Sequence, residues 1–178
     1  MDSLVSTEWL AAEPGAGDLK LLDASMHLPD AARDARAEYD AGHIPGALFL
    51  DLASLVDAGA QTENTLPTAA QFAARMAQLG IGADDRIVVY DDSAIRSAAR
   101  AWFVLTHYGA RHVAILDGGL GKWKAEGRTL ASGAEAAGNG EFIPAPATDR
   151  LRRKADVLAN IASGTVQVID ARGAPRFA

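Results

Sequence analysis

The chain of 178 residues contains no cysteine. That excludes disulfide bonds, thiolate metal sites and thiol nucleophiles from it. It also lacks any apolar run approaching the roughly 20 residues of a membrane span, so no membrane association is expected. There is no excess of positive charge: the formal net charge is −6, with both signs interspersed. A nucleic-acid surface needs a clustered basic face, and none is legible. The one basic knot, Arg150, Arg152, Arg153 and Lys154, is flanked by Asp149 and Asp156 and reads as a solvated linker. Met1-Asp2-Ser3 supplies no basic region ahead of an apolar stretch, so no secretory signal is expected and the chain is placed in the cytoplasm. No metal or cofactor is expected. His107 and His112 have no carboxylate or histidine at ligand spacing and are assigned to the surface.

What is present is apolar material, 49% of the chain, enough for a packed core. Ser6 or Thr7 caps a short helix running to about Ala12, and Leu19–Asp23 has the length of a buried strand. Residues 25–46 are polar and unpatterned, a long loop with one helical turn near 35–41; a short strand follows over 47–50 and a loop over 57–67. Thr68 and Gln71 form a capping box. Phe72, Met76 and Leu79 fall on one face of the helix behind it, and Gly80 stops that helix. Arg86 to Asp91, with Ile87-Val88-Val89-Tyr90, is the clearest strand. A helix from 97 to 108, a strand over 112–116 and a short helix after Gly118-Gly119 complete the pattern. Trp102 and Trp123 stand at helical spacing with other apolar residues and belong to the core. Strands alternating with helices predict an α/β domain with a mostly parallel sheet covered on both faces.

The chain also begins to repeat itself. Trp9-Leu10-Ala11 followed by Leu21-Leu22-Asp23-Ala24-Ser25 is echoed roughly 150 residues later by Val157-Leu158-Ala159 and Val168-Ile169-Asp170-Ala171-Arg172. A repeat of that period is a duplicated domain, not a solenoid. The expected organisation is a first domain over 1–130, a linker rich in Gly, Ala and Pro over 131–150, and over 151–178 the opening of a second copy, truncated at Ala178. That copy should hold a helix near 155–162 and a strand over 166–170.

Three segments carry chemical identity: Gly42-His43-Ile44-Pro45-Gly46-Ala47; Ile87-Val88-Val89-Tyr90-Asp91 leading to Ala98-Ala99-Arg100-Ala101-Trp102; and Leu116-Asp117-Gly118-Gly119-Leu120 with Trp123 and Gly127. In this order, with the repeat, they resemble the two-domain rhodanese family of sulfurtransferases, in particular its bacterial 3-mercaptopyruvate branch. The resemblance implies a three-layer rhodanese-like fold. It also implies transfer of sulfane sulfur from thiosulfate or 3-mercaptopyruvate to a thiol or cyanide. The carrier is a persulfide on a cysteine placed where a central strand feeds a helix N-terminus. In two-domain members that cysteine lies in the second domain.

Aligned on its strand, this chain has Asp91 at the position equivalent to the nucleophile, so the first domain is a degenerate copy and the chain alone should be inactive. The loop after Asp91 offers an anion Arg96 and backbone amides, but reads first as a plain strand-to-helix turn. Asp34 and His43 match positions that form a relay with a serine of the second domain in mercaptopyruvate members. For this chain alone the structural reading of His43, fixing the turn before Pro45, is preferred. Arg176 matches an arginine that grips the substrate anion, Arg172 is a structural ion-pair partner, and nothing specific attaches to His27. The expected partners are a small anionic sulfur donor and a thiol acceptor in the full-length enzyme, with the missing C-terminal domain or a strand-completing second chain. A second reading is an inactive rhodanese-like module that binds a partner or regulates it.

Overall fold

A computed structural model describes residues 1–13 and 15–171, and in it the chain folds as two units, Met1–Pro146 and the residues from Ala147 onward. In chain order the first unit carries β1 (Leu4–Val5), α1 (Thr7–Ala11), β2 (Leu19–Asp23), α2 (Ala35–Ala41), β3 (Ala47–Phe49), α3 (Ala69–Gln78), β4 (Arg86–Tyr90), α4 (Ala98–His107), β5 (His112–Leu116) and α5 (Gly119–Ala125). The five strands form one sheet in the order β1-β5-β4-β2-β3, and every pairing is parallel.

Alternation along the central strand explains the layers. Side chains of successive strand residues point to opposite faces, and in β4 both faces are buried. Ile87 and Val89 join Leu22, Val113, Phe72 and Met76 from α3, and Val104 and Leu105 from α4. Val88 and Tyr90 join Leu21, Ala114, Leu10 from α1, and Leu120 and Trp123 from α5. A strand covered on both sides must be apolar throughout, which is why this run stands out in the sequence. Trp102 is partly buried beside the first cluster and its Nε1 donates to the Val113 carbonyl at 3.0 Å.

The helix starts follow their caps. The Ser6 hydroxyl accepts from Trp9 N–H, and Thr68 and Gln71 complete the expected box at the head of α3. The two-residue strand β1 has no sequence signal of its own; it exists because β5 offers an open edge to Leu4 and Val5.

Two expectations for the first unit change. Residues 131–146, read as part of a linker, pack on the first unit. Ala131 bridges His43, Phe142 is 4% exposed and edge-on to Phe72, and Ala145 N–H donates to the Tyr108 carbonyl at 2.9 Å. Gly80 and Gly140 make this possible, since a Cβ on Gly140 would stand 2.4 Å from the Gly80 carbonyl carbon. His107, assigned to the surface, is 5% exposed, stacked on Phe103 and edge-on to Tyr108. Its neighbours on α4 carry it inward, whereas His112 is exposed as expected.

The second unit contains a 3₁₀ turn (Thr148–Arg150) and α6 (Lys154–Ser163), which ends at Gly164 in the left-handed region. Asn160 fastens the chain beyond it: its Nδ2 donates to the Val166 carbonyl and its Oδ1 accepts from Val166 N–H. Residues 166–170, expected as a strand, form none, since no neighbouring strand pairs with them among the described residues.

Candidate functional site

From β2 the chain passes to β3 on one side and then returns to β4 on the other. The connections that leave the carboxyl ends of β2 and β4 therefore run to opposite sides, toward β3 and β5, and open α/β sheets present their ligand crevice at such a point. A cleft of about 290 Å³ lies there, lined in part by Asp23, Arg33, Tyr39, Asp92 and Lys124.

Asp23 ends β2 and is 2% exposed. Its Oδ1 accepts from Ser25 N–H at 2.9 Å. Burial raises its pKa above the usual carboxylate range, and the nearby Asp91 charge adds to this while hydrogen bonds from Ser25 and Tyr90 oppose it. Burial, with Asp23 next to it, also pushes the Tyr90 phenol far up, and its oxygen accepts from Ile44 N–H.

The loop after β4 is knotted onto the loop after β2. Asp91, 8% exposed, accepts a short hydrogen bond from the Ser93 hydroxyl, and the Ser97 hydroxyl lies 3.2 Å from the same oxygen. Ser97 Oγ donates to the Ala24 carbonyl at 2.8 Å and accepts from Met26 N–H. Ser25 Oγ accepts from Asp92 N–H. The Asp91 carbonyl accepts from Leu120 N–H, and the turn approaches so closely that a Cβ on Gly119, whose φ is +56°, would lie 2.4 Å from that oxygen. Gly119 is thus required by contact with the residue that follows β4, whereas a Cβ on Gly118, φ +81°, would run into the Lys122 side chain.

Outside the knot, Arg33 grips Glu38 with two N–H bonds and donates Nη1 to the Asp92 carbonyl at 3.1 Å. Lys124 reaches the Asp92 carboxylate at 3.3 Å, and His27 Nε2 lies 3.0 Å from Glu38. Arg33, then His27, holds Glu38 below the usual glutamate range. These partly exposed pairs are worth about 0–1 kcal/mol each, so they position the cleft wall more than they stabilise the fold.

Among the described residues singled out from sequence, Asp34 and His43 stand apart. Asp34 caps α2, accepting from Arg36 and Ala37 N–H, while His43 follows the other end of that seven-residue helix, about 10 Å away at 1.5 Å per residue. His43 is fully buried, stacked on Tyr39 at 4.1 Å, and its Nδ1 lies 2.8 Å from the Tyr39 carbonyl oxygen. Arg96 sits exposed in the left-handed region, φ +55°, without an ion pair among the described residues. It lines a second cleft of about 290 Å³ together with Asp91. Arg172 and Arg176 lie outside the described residues.

Sequence reasoning does not find Ser93 and Ser97, although a hydroxyl two residues after an aspartate at a strand end is common turn chemistry. Arg33 and Lys124 meet Asp92 across long separations, so no local pattern announces them. Chemically, the crevice has acceptors, cations and a buried carboxylate. Among the described residues there is no group of three metal-ligating side chains, and no helix is long and apolar enough to cross a membrane.

Comparison with known proteins agrees with this geometry. The rhodanese-like domain family matches residues 6–126. The 3-mercaptopyruvate sulfurtransferase of Mus musculus is 37% identical over 181 residues, covering 98% of this chain and 61% of the relative. That of Escherichia coli K12 is 37% identical over 174 residues, covering 97% and 62%. The chain thus spans about three-fifths of the length of these relatives. The crystal structure of SseA from E. coli, a 3-mercaptopyruvate sulfotransferase, superimposes with a TM-score of 0.93 at 36% identity, covering 99% of this chain and 68% of that one. With its fold, its three motifs and its relatives in agreement, the chain belongs to the rhodanese-like family.

Proposed function

We propose that residues 1–146 are the non-catalytic first domain of a sulfurtransferase of the thiosulfate/3-mercaptopyruvate class, and that the residues from Ala147 onward open a second rhodanese-like domain. In the full-length enzyme a cysteine of that second domain attacks the sulfane sulfur of the anionic donor. The donor's bond to that sulfur breaks, sulfite or pyruvate leaves, and the resulting persulfide passes its outer sulfur to a thiol or cyanide. The first domain supplies no nucleophile to that reaction. The observation that carries this reading is the end of β4. Where a sulfur nucleophile would stand, Asp91 is turned inward onto two serine hydroxyls, in a chain without cysteine. A carboxylate there repels an anionic donor and has no sulfur-accepting thiolate to offer.

The test is incubation of the purified chain with thiosulfate or 3-mercaptopyruvate and cyanide, with the E. coli relative as positive control. No thiocyanate above the blank and no mass gain of one sulfur atom are expected. Joining the chain at Ala178 to the remainder of the E. coli relative should yield turnover, and changing the cysteines of that remainder to serine one at a time should identify one whose loss abolishes it. Thiocyanate production by the unmodified chain would overturn the reading.

A further inference from the structure

His43 leaves a problem of hydrogen-bond chemistry at the start of the 131–146 segment. Its Nδ1 lies 2.8 Å from the Tyr39 carbonyl oxygen. A carbonyl only accepts, so Nδ1 carries the hydrogen, and a neutral ring then has a bare lone pair at Nε2. That nitrogen is fully buried without a hydrogen-bond partner, and the nearest charged atom is Glu135 Oε1 at 3.5 Å. The same oxygen accepts from Gly46 N–H at 3.2 Å. Nε2 and the carboxylate oxygen face each other at 3.5 Å, and a proton on Nε2 would join them. An unsatisfied buried acceptor carries a desolvation cost, whereas a charge-assisted bond in its place is among the strong ones.

We propose that His43 and Glu135 form a proton-operated latch: proton uptake at His43 Nε2 fastens the segment around Glu135 onto the Gly42-to-Ala47 turn, and its loss loosens it. The rest of the surroundings leave this role to Glu135. Tyr39, from α2, covers the ring face and donates its own hydroxyl to the Ala47 carbonyl at 2.6 Å. Tyr90, from β4, is engaged with Ile44 N–H. Asp40 and Arg36 on α2 pair with each other. Asp23 on β2 accepts from Ser25 N–H.

The segment that the latch holds is identifiable. Ala131 exchanges two backbone hydrogen bonds with His43, and Gly133 N–H donates to the Asp40 carbonyl at 2.8 Å. From Gly138 onward the segment is pressed against Gly80 and then anchored by Phe142. Residues 134–137 between these anchors are exposed, and the Glu135 side chain ties them to the domain. Short stretches held by so few contacts open locally at small free-energy cost.

The sign follows from the bond. Closing takes up a proton, so the closed form is favoured as pH falls. The experiment compares hydrogen exchange of the Gly46 amide at about pH 6 and about pH 8, corrected for intrinsic rates, with ¹⁵N shifts of the His43 ring. The lower pH stays above the isoelectric point of about 5.1, which keeps the protein soluble. The expected result is a protonated Nε2 and roughly tenfold greater Gly46 protection at the lower pH. Glu135→Gln supplies an N–H to the bare Nε2 without an added proton, so its Gly46 protection should be high at both pH values. Protection that does not change with pH in the unmodified protein, a bare Nε2 throughout, or unchanged pH dependence in Glu135→Gln would each overturn the latch. None of these readouts depends on sulfur transfer.

Discussion

At the scale of single residues, burial and not residue type decides chemistry. Asp23, at the end of β2, faces the cleft and is pushed above its normal range by desolvation. A carboxylate whose folded-state pKa is raised holds its proton to higher pH than in the unfolded chain. Stability therefore falls as pH rises from the unfolded value near 3.9 through the folded value, and is flat beyond it. Asp23→Asn keeps an acceptor for Ser25 N–H and removes this titration. Urea denaturation between about pH 4 and pH 7 should show a falling stability in the parent and a flatter profile in the variant. Asp91 is legible as a chemically odd residue from the motif around it. Its partners are not, because Ser93 and Ser97 reach it only through the shape of the loop. His107 misleads in the opposite direction: a histidine beside Gly109 reads as surface, and only the packing of α4 buries it.

Elements with strong internal patterns are readable, and those held by contact are not. α3 carries its own cap, apolar face and stop, and β4 its own apolar run, so both stand where expected. The 131–146 segment has no periodicity, and Gly133, Gly138 and Gly140 make it resemble a linker. Those at the crossing with Gly80 serve close approach instead, for Gly140 there leaves no room for a Cβ. Phe142 is the test of this attachment. Phe142→Ala should destabilise the first unit by about 3–5 kcal/mol, the usual cost of emptying a buried aromatic site. Thermal or urea unfolding followed by tryptophan fluorescence measures it. If 131–146 behaved as a linker, the loss would be near zero.

For the whole molecule, the two units differ in kind. The first buries two apolar clusters on the two faces of one sheet. The second displays its apolar residues: Leu158, Ile161, Val166, Val168 and Ile169 are 56–85% exposed. Contiguous exposed apolar surface promotes association. Sedimentation velocity should show concentration-dependent self-association of the chain, reduced in Val168→Asp/Ile169→Asp, with the melting of the first unit unchanged. Loss of first-unit stability in that variant would show instead that these residues serve the first unit's core.

Periodicity, caps and three motifs in order determined the fold class, most helix and strand positions of the first unit and the family, because each is a local property that the chain carries wherever it folds. The missing cysteine likewise determined that no persulfide-forming thiol resides here. Tertiary structure alone decided the rest. It turned Asp91 onto two serines, separated Asp34 from His43 by the length of a helix, drew residues 131–146 onto the first unit and set Glu135 against a bare imidazole nitrogen. These outcomes depend on which distant surfaces meet, and a one-dimensional pattern does not encode contacts between segments that have no periodicity of their own.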